Sequence, residues 1–135
     1  MAVGAVMSPA AAQANVNDRG TAGANCVNGE ICFNYAPGSS SVYRHFFYDA
    51  DHRGDHFDGS SFRLADNIVG YRNLDTQCTV YVWDITSTGR WYVYSTIGSE
   101  YPQAPTRVYR TYSAGDQNRN NGHTRCQSGT PPIGR

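Results

Sequence analysis

The chain has 135 residues, the usual size of one domain, and its formal net charge at pH 7 is zero. This balance, without any basic block, argues against binding to nucleic acid or to an anionic membrane surface. Aromatic residues make up 13% of the chain, a share that suits a small β domain with an aromatic core or a sugar-stacking surface. No strong amphipathic helix pattern occurs. We therefore predict an all-β fold and expect a monomer.

Residues 1–14 have the features of the end of a secretory signal. They are apolar and rich in small residues, and they finish with Ala12-Gln13-Ala14, which matches the small-x-small site of signal peptidase. The segment is too short to span a bilayer. We expect a residual signal peptide, an extracellular mature protein, and a flexible lead-in over residues 15–25. The alternative is an alanine-rich disordered N-terminus.

The four cysteines, Cys26, Cys32, Cys78 and Cys126, favour two disulfides, because an even number in a small chain is typical of an oxidising compartment. Three pairings are open. We favour Cys26–Cys32, which closes a short local loop, together with Cys78–Cys126, which ties the central hairpin to the C-terminal segment. Metal binding by the four thiols is disfavoured, since the spacing lacks paired C-x2-C knuckles.

Two hairpins are predicted from alternating β-branched and aromatic residues around turn-forming sequences. The first pairs residues 31–35 with residues 42–48, and the second pairs residues 79–83 with residues 91–96. In the second hairpin, alternation places Val80 and Val82 on one face of the sheet.

Shorter predicted strands and two polar loops complete the domain. The strands are predicted at residues 62–64, 66–73, 106–112 and 123–126, and the loops at residues 49–61 and 113–122. Residues 127–135, with two prolines and two glycines, are predicted to form a disordered tail. The two halves of the chain look like copies of one four-strand unit.

The segment Cys26-x-x-Gly29-x-x-Cys32, followed by Phe33, resembles the opening of a family of secreted bacterial metallopeptidase inhibitors. The resemblance implies a βγ-crystallin-like Greek-key sandwich of two four-stranded motifs over residues 26–126. It also implies that an exposed loop blocks an extracellular peptidase. In that family a short disulfide in the second half braces the loop. This chain has no such pair there, so the inhibitory residues are unknown.

The second half carries the signature Val82-Trp83-x5-Gly89-x-Trp91, which is similar to the aromatic–glycine pattern of a βγ-crystallin hairpin. The same two tryptophans could instead serve a cell-wall or carbohydrate-binding module. In that case Trp83 and Trp91 would form an open, flat platform, whereas in a structural role they would be buried.

Two segments resemble the calcium motif of the βγ-crystallin superfamily, [Asn/Asp]-[Asn/Asp]-x-x-[Ser/Thr]. Asn120, Asn121 and Thr124 fit all its positions, while Asp66 and Asn67 begin a second copy that has glycine in place of the hydroxyl residue. Calcium prefers oxygen ligands, and neutral ligands predict a weak site. The alternative is an Asn-rich turn whose side chains bond to the nearby backbone. We favour that alternative for the second copy.

Other metal and catalytic patterns are incomplete. Residues 49–60 partly match an EF-hand loop, but Arg53 occupies its fifth position and serine its twelfth, so a solvated polar loop is favoured. His52 and His56 have the i,i+4 spacing of a zinc pair, and His123 is a candidate third ligand, but the sequence between the pair does not favour a helix. No nucleophile elbow is present, and we expect no enzyme.

Three hypotheses of function follow. The first is a secreted inhibitor of an extracellular metallo- or other peptidase, as the resemblance implies. The second is a calcium-binding βγ-crystallin-like structural or stress protein, whose melting temperature would rise with calcium. The third is the cell-wall or carbohydrate-binding module.

Overall fold

The computed structural model describes residues 19–35 and 41–135 and consists of two four-stranded antiparallel sheets. The prediction of an all-β fold is confirmed. The structure also contains the favoured disulfides, Cys26–Cys32 and Cys78–Cys126. Helix in the described part is limited to one 3-10 turn, Ala114–Asp116, so no helix there could cross a membrane. The predicted signal remnant and the first lead-in residues lie outside the described residues.

The described chain forms eight strands. They are β1 (Ile31–Asn34), β2 (Tyr43–Phe46), β3 (Ala50–Asp51), β4 (Gly70–Asn73), β5 (Val80–Ile85), β6 (Trp91–Ile97), β7 (Arg110–Thr111) and β8 (Gly122–Arg125).

The two sheets exchange strands between the halves of the chain. Sheet I has the order β2-β1-β4-β7, and sheet II has the order β3-β8-β5-β6. Each sheet therefore takes three strands from one half and one from the other. Adding four to each strand number of sheet I, with β11 counted as β3, gives the order β6-β5-β8-β3. This is the order of sheet II read from its other edge. The two halves thus have the same topology, as expected for a duplicated four-strand unit.

The central hairpin forms where the sequence pattern predicts it. β5 pairs with β6, and Val80 and Val82 point into the core with no exposed surface. The pairing shifts by one residue between Val82 and Trp83, which marks a β-bulge. In the turn, Gly89 has a φ of 86°, a left-handed conformation that glycine adopts without steric penalty.

The core lies between the inner faces of the sheets. Sheet I contributes Ile31, Phe33 and Phe46, and sheet II contributes Val80 and Val82, all without exposed surface. The loops between strands add further buried side chains, namely Phe57, Leu64 and Ile68. Burial of each such side chain stabilises the fold by about 1.5–3 kcal/mol.

Three local predictions were wrong. Residues 49–61 are not a simple polar loop, because they contain β3, which pairs with β8 and is buried. The strand predicted at residues 106–112 shrinks to Arg110–Thr111, since the preceding residues form an exposed loop. The strand predicted at residues 62–64 is reduced to one isolated bridge between Arg63 and His56.

Both ends of the described chain contact the sheets. In the lead-in, Arg19 forms a β-bridge with Phe46, at the edge of sheet I. In the predicted disordered tail, Pro132 is buried, and the N–H of Asp51 donates to the carbonyl of Arg135 over 2.9 Å. The N–H of Gly134 donates to Oδ2 of Asp51 over 3.0 Å. These contacts differ from the expectation of a freely disordered tail.

Candidate functional site

A layer of buried polar side chains covers the outer face of sheet I. Alternation along β1 sends Ile31 and Phe33 into the core, so that residues 30, 32 and 34 face outward. The residues paired with Cys32 are His45 on β2 and Arg72 on β4, and they share this outer face. Residues 19–28 and the loop of residues 98–109 lie over the layer and exclude water from it.

Glu30 is the centre of this layer, and its carboxylate is completely buried. Its Oε1 accepts from the N–H of Val27 and from the hydroxyl of Thr21, each over 3.0 Å, and its Oε2 accepts from the N–H of Thr21. Nδ1 of His45 lies 3.2 Å from Oε1. Burial raises the pKa of Glu30, but the bonds from His45 and the two backbone N–H groups outweigh it and leave that pKa below its usual value.

The hydrogen-bond chain continues from His45 to Tyr109. Nε2 of His45 lies 2.9 Å from the hydroxyl of Tyr109. Burial raises the pKa of Tyr109 well above its usual value, so the phenol stays protonated. Nδ1 of His45 thus faces the carboxylate of Glu30, and its Nε2 faces the hydroxyl of Tyr109. We call Glu30, His45 and Tyr109 the Glu30 cluster.

Gly20 allows the lead-in to reach the Glu30 cluster. A Cβ atom at this position would come within 2.7 Å of Cβ of His45 and would also collide with the carboxylate of Glu30. The N–H of Gly20 donates to the carbonyl of His45 over 2.7 Å. A larger residue would therefore separate the lead-in from sheet I.

A second chain of hydrogen bonds crosses the core between the sheets. Nε2 of His123 lies 2.8 Å from the carbonyl of Tyr48, and its Nδ1 lies 2.8 Å from Nε2 of His52. Nδ1 of His52 lies 2.9 Å from Nδ2 of Asn120. A carbonyl can only accept, so each neutral histidine donates through Nε2 and accepts at Nδ1. We call His52, His123 and Asn120 the histidine chain.

Both histidines of the chain are neutral because the core disfavours their charged form. Each is fully buried, and their rings contact those of Phe33 and Phe46. Burial, with smaller contributions from His123 and Arg44, lowers the pKa of His52 well below its usual value. Burial lowers the pKa of His123 to about 4.

A groove of about 210 Å³ opens between the loop of residues 98–109 and sheet I. Its lining includes Asn34 of β1, Tyr43 of β2, Tyr109 and Thr111. The rings of Tyr43 and Tyr109 have their centroids 5.4 Å apart and are tilted by 52°. Oδ1 of the buried Asn34 has no hydrogen-bond partner among the described residues. The groove thus meets the Glu30 cluster at Tyr109.

The calcium-motif residues of the second half are already used in hydrogen bonds. Oδ1 of Asn120 accepts from the N–H of Ile68 over 2.9 Å, and its Nδ2 donates to the carbonyl of Leu64 over 2.8 Å. Oδ1 of Asn121 accepts from a backbone N–H at the end of β5 over 3.1 Å. Oγ1 of Thr124 accepts from Nε1 of Trp83 and donates to a carbonyl. Calcium binding would have to displace these bonds and stays a prediction.

The two calcium motifs do not occupy equivalent positions in the halves. By strand register, Gly122 opposite Trp83 corresponds to Gly70 opposite Asn34. Asp66 and Asn67 therefore lie two residues earlier than their expected equivalents. Asn67 donates to the backbone at Arg63 and Ala65, as an Asn turn does. Asp66 is exposed and has a φ of 63°.

The other metal patterns are not assembled as predicted. His52 is buried in the histidine chain, whereas His56 is exposed. Asp51 binds the side chain of Arg53, so the EF-hand-like loop directs a carboxylate at its own arginine. The described residues contain one compact group of possible metal ligands, Cys26, Glu30 and Cys32, but both its thiols are in a disulfide.

The two tryptophans do not form an open platform. Trp83 is 4% exposed and donates to Oγ1 of Thr124 over 2.9 Å. Trp91 is half-buried, and the guanidinium of Arg53 lies 4.9 Å from its ring centroid. A sugar cannot stack on both rings in this arrangement.

Sequence reasoning missed the Glu30 cluster, the histidine chain and the role of Arg72. Their members are far apart in sequence: His45 and Tyr109 are separated by 64 positions, and His52 and His123 by 71. One signal was available for part of the set, since Glu30, Cys32 and Asn34 alternate with apolar residues through β1. That alternation predicts a second, polar layer on the outer face.

Comparisons of the chain with protein-family models, with curated proteins and with solved structures found no match.

Proposed function

We propose that this chain is a secreted inhibitor of an extracellular peptidase and that it presents the loop of residues 98–109 to the enzyme. The observation that carries the proposal is an exposed segment held at both ends. Thr106, Arg107 and Val108 are exposed, and Val108 is 90% exposed. Just before them the backbone is fixed to sheet I, and just after them it enters the edge strand β7. A loop ordered in advance loses little entropy on binding.

Arg72 fixes the start of the segment. Its side chain is 1% exposed and reaches under the loop from β4. It donates to the carbonyl of Pro105 over 2.7 Å and to the carbonyl of Ala104 over 2.9 Å. Hydrogen bonds from a charged donor are stronger than neutral ones, and a buried guanidinium has no water to bind instead.

The disulfide-bonded segment of Cys26 and Cys32 also holds the start of the exposed segment. The N–H of Cys26 donates to the carbonyl of Pro105 over 3.1 Å. Nearby, the N–H of Gln103 donates to Oδ1 of Asn28 over 3.1 Å. The resembling inhibitors brace their loop with a local disulfide of the second half. Here a disulfide of the first half takes the equivalent supporting role from across the sheet.

The strand order supports a βγ-crystallin type of sandwich. In that interpretation each half is one Greek-key motif, and each motif gives its third strand to the sheet of the other. β3 and β7 are those exchanged strands. β7 is also an edge strand, so its free side offers backbone groups to an extended partner, as in β-strand addition. The two disulfides are compatible with an extracellular protein.

The proposal is tested by inhibition assays with a panel of secreted metallo- and serine peptidases. We expect the wild-type protein at micromolar concentration to slow at least one of them. Val108→Asp should weaken that inhibition by at least about tenfold, since a central apolar anchor of an interface contributes about 2 kcal/mol or more. Ile133→Asp changes an exposed apolar residue outside the loop and should leave inhibition unchanged. If no peptidase is slowed, or if both variants inhibit equally, the proposal is wrong.

A further inference from the structure

We propose that reduction of the disulfide Cys26–Cys32 opens a zinc site formed by the two thiolates, the carboxylate of Glu30 and the imidazole of His45. The sulfurs bind either each other or the metal, so the disulfide and the zinc site exclude each other. The site lies on the outer face of sheet I, and its chemistry does not depend on the proposed peptidase inhibition.

The ligand atoms of this group are already close together. The sulfurs of Cys26 and Cys32 and a carboxylate oxygen of Glu30 lie within 4.8 Å of one another. Sγ of Cys32 is 3.8 Å from Oε1 of Glu30, and Nδ1 of His45 is 3.2 Å from the same oxygen. In a tetrahedral zinc site with ordinary bond lengths, the sulfur–oxygen and nitrogen–oxygen separations are about 3.5 Å and about 3.3 Å. Both separations from Oε1 are thus close to those of a zinc tetrahedron.

The donor set is one that selects zinc. Thiolate, imidazole and carboxylate are all ordinary zinc ligands, whereas calcium and magnesium prefer sites made of oxygen alone. The side chains of Cys26, Cys32, Glu30 and His45 are all exposed by 1% or less. A buried set of four protein ligands is typical of a closed, structural zinc site, not of a catalytic one with a bound water.

Neighbouring groups hold two of the ligands in place. The N–H of Val27 and the N–H and hydroxyl of Thr21 donate to the carboxylate of Glu30. On the other side, Nε2 of His45 lies 2.9 Å from the hydroxyl of Tyr109, so that Nδ1 is directed at Glu30. Hydrogen bonds of this kind orient metal ligands and increase their affinity for the ion.

Arg72 balances the charge of the loaded site. Zinc with two thiolates and one carboxylate carries one net negative charge. Arg72 lies opposite Cys32 in the pairing of β1 with β4 and shares its face of the sheet. It is 1% exposed and takes part in none of the ion pairs of the described residues. A cation on this face also favours the thiolate over the thiol.

Loading the site requires one reductive step. A reductant of the dithiol or phosphine class gives two electrons to the S–S bond, and each sulfur takes up one proton. Zinc then displaces both protons, which pass to the solvent. Oxidation of the thiolates forms the S–S bond again and releases the ion. The same residues therefore bind zinc under reducing conditions only.

The test is isothermal titration calorimetry of the full chain with zinc chloride, before and after reduction by tris(2-carboxyethyl)phosphine. We expect the reduced protein to bind one zinc ion at this site and the oxidised protein to bind none there. The double variant Cys78→Ser/Cys126→Ser keeps all the proposed ligands and should still bind zinc when reduced. The matched variant Cys26→Ser/Cys32→Ser should not. Cobalt in place of zinc should give the absorption of a tetrahedral site with thiolate ligands.

Glu30→Gln and His45→Gln distinguish the assembled site from a pair of free thiols. Each removes one ligand and should weaken zinc binding by the reduced chain at least about tenfold. His56→Gln changes an exposed histidine and should leave zinc binding unchanged.

Circular dichroism covers the case in which a reduced chain unfolds. Zinc should then restore the β signal of every chain that keeps the four ligands, because metal binding is coupled to folding. The proposal is overturned if the reduced wild type binds no zinc, or if the oxidised chain binds it as tightly. It is also overturned if Cys26→Ser/Cys32→Ser binds as well as Cys78→Ser/Cys126→Ser, or if Glu30→Gln or His45→Gln binds as the wild type does.

Discussion

The histidine chain and the Glu30 cluster are two buried hydrogen-bond chains that use histidine in opposite ways. In the histidine chain, His52 and His123 lie between the sheets against phenylalanine rings, and no carboxylate of the described residues bonds to either. In the Glu30 cluster, His45 lies on the outer face of sheet I and bonds directly to the carboxylate of Glu30. Both hydrogen-bond chains link separate parts of the fold. The histidine chain consists of neutral side chains, whereas the Glu30 cluster contains an ionised carboxylate.

The difference shows that the neighbouring groups, and not burial alone, decide the charge that a buried site tolerates. The four side chains of Glu30, His45, His52 and His123 are all exposed by 1% or less. The pKa of Glu30 is lowered because several donors converge on it and outweigh its burial. The pKa of each core histidine is lowered because burial disfavours its charged form, and in His123 burial outweighs the bond to the carbonyl of Tyr48. The two chains should therefore respond to acid in different pH ranges.

The largest expected effect is a loss of stability in mild acid through the histidine chain. The pKa of His123 is about 4 in the folded protein and 6.5 in an unfolded chain. The unfolded state thus takes up the proton first, so the stabilisation is complete above pH 6.5 and is lost as the pH falls toward 4. Between pH 7 and pH 4.5 His123 alone should cost about 2 kcal/mol, and His52 adds to this in the same direction. Urea unfolding at both pH values measures the change.

Two variants check the source of this acid effect. His123→Gln keeps a donor and an acceptor but does not titrate, so it should reduce the loss of stability in acid. His56→Gln removes an exposed histidine and should leave it unchanged. A wild-type free energy of unfolding that is the same at pH 7 and pH 4.5 would contradict the assignment.

A smaller effect is expected from Glu30→Gln in the Glu30 cluster. The substitution removes the charge that His45 and two backbone N–H groups converge on, and it should lower the free energy of unfolding at pH 7 by about 1–2 kcal/mol. Glu100→Gln is the matched control, because the arginine of its ion pair, Arg110, is exposed, so that the substitution should lower the free energy of unfolding by less. If the two substitutions lowered the free energy of unfolding equally, the stabilising role of the Glu30 cluster would be contradicted.

In the wild-type protein, the stabilisation by Glu30 is lost at lower pH than the stabilisation by the histidine chain. Because its pKa is lowered by folding from 4.5, this stabilisation is present above pH 4.5 and is lost as the pH falls below that value. Acid unfolding of the wild type should therefore have a second component at lower pH, which is absent in Glu30→Gln.

The smallest expected effect is that of calcium. Asn120 belongs to the histidine chain, and its amide is fully used, as is the hydroxyl of Thr124. Any calcium bound there must replace these bonds, so we expect millimolar calcium to raise the melting temperature by no more than about 1 °C. A clearly larger rise, lost in Thr124→Val, would instead support the calcium hypothesis and would show that the histidine chain rearranges on binding.

The fold could be predicted where burial follows the alternation of side chains. The hairpin of β5 and β6 is clear in the sequence because Val80 and Val82 alternate with aromatic residues. β3 was missed because Asp51, its second residue, and His52, the next residue, are polar but buried. Asp51 bonds to Arg53, and His52 bonds to His123. Their burial depends on these partners, which the local sequence does not show.

The candidate sites were less predictable than the strands. The disulfides could be paired because the spacing of Cys26 and Cys32 is short enough for a local bridge. The role of Arg72 in the loop could not be inferred, since an arginine in a strand is usually exposed and its acceptors are carbonyls more than 30 positions away. The sites arise from contacts between strands and loops, which a single sequence does not encode locally.

The exchange of β3 and β7 has a consequence for biosynthesis. Neither sheet can be completed from one half of the polypeptide, because sheet I lacks its fourth strand until residue 111 has been made. A nascent chain that stops after the first half would expose the open edge of β4 and the apolar side of β1. Co-translational folding of the first half is thus disfavoured.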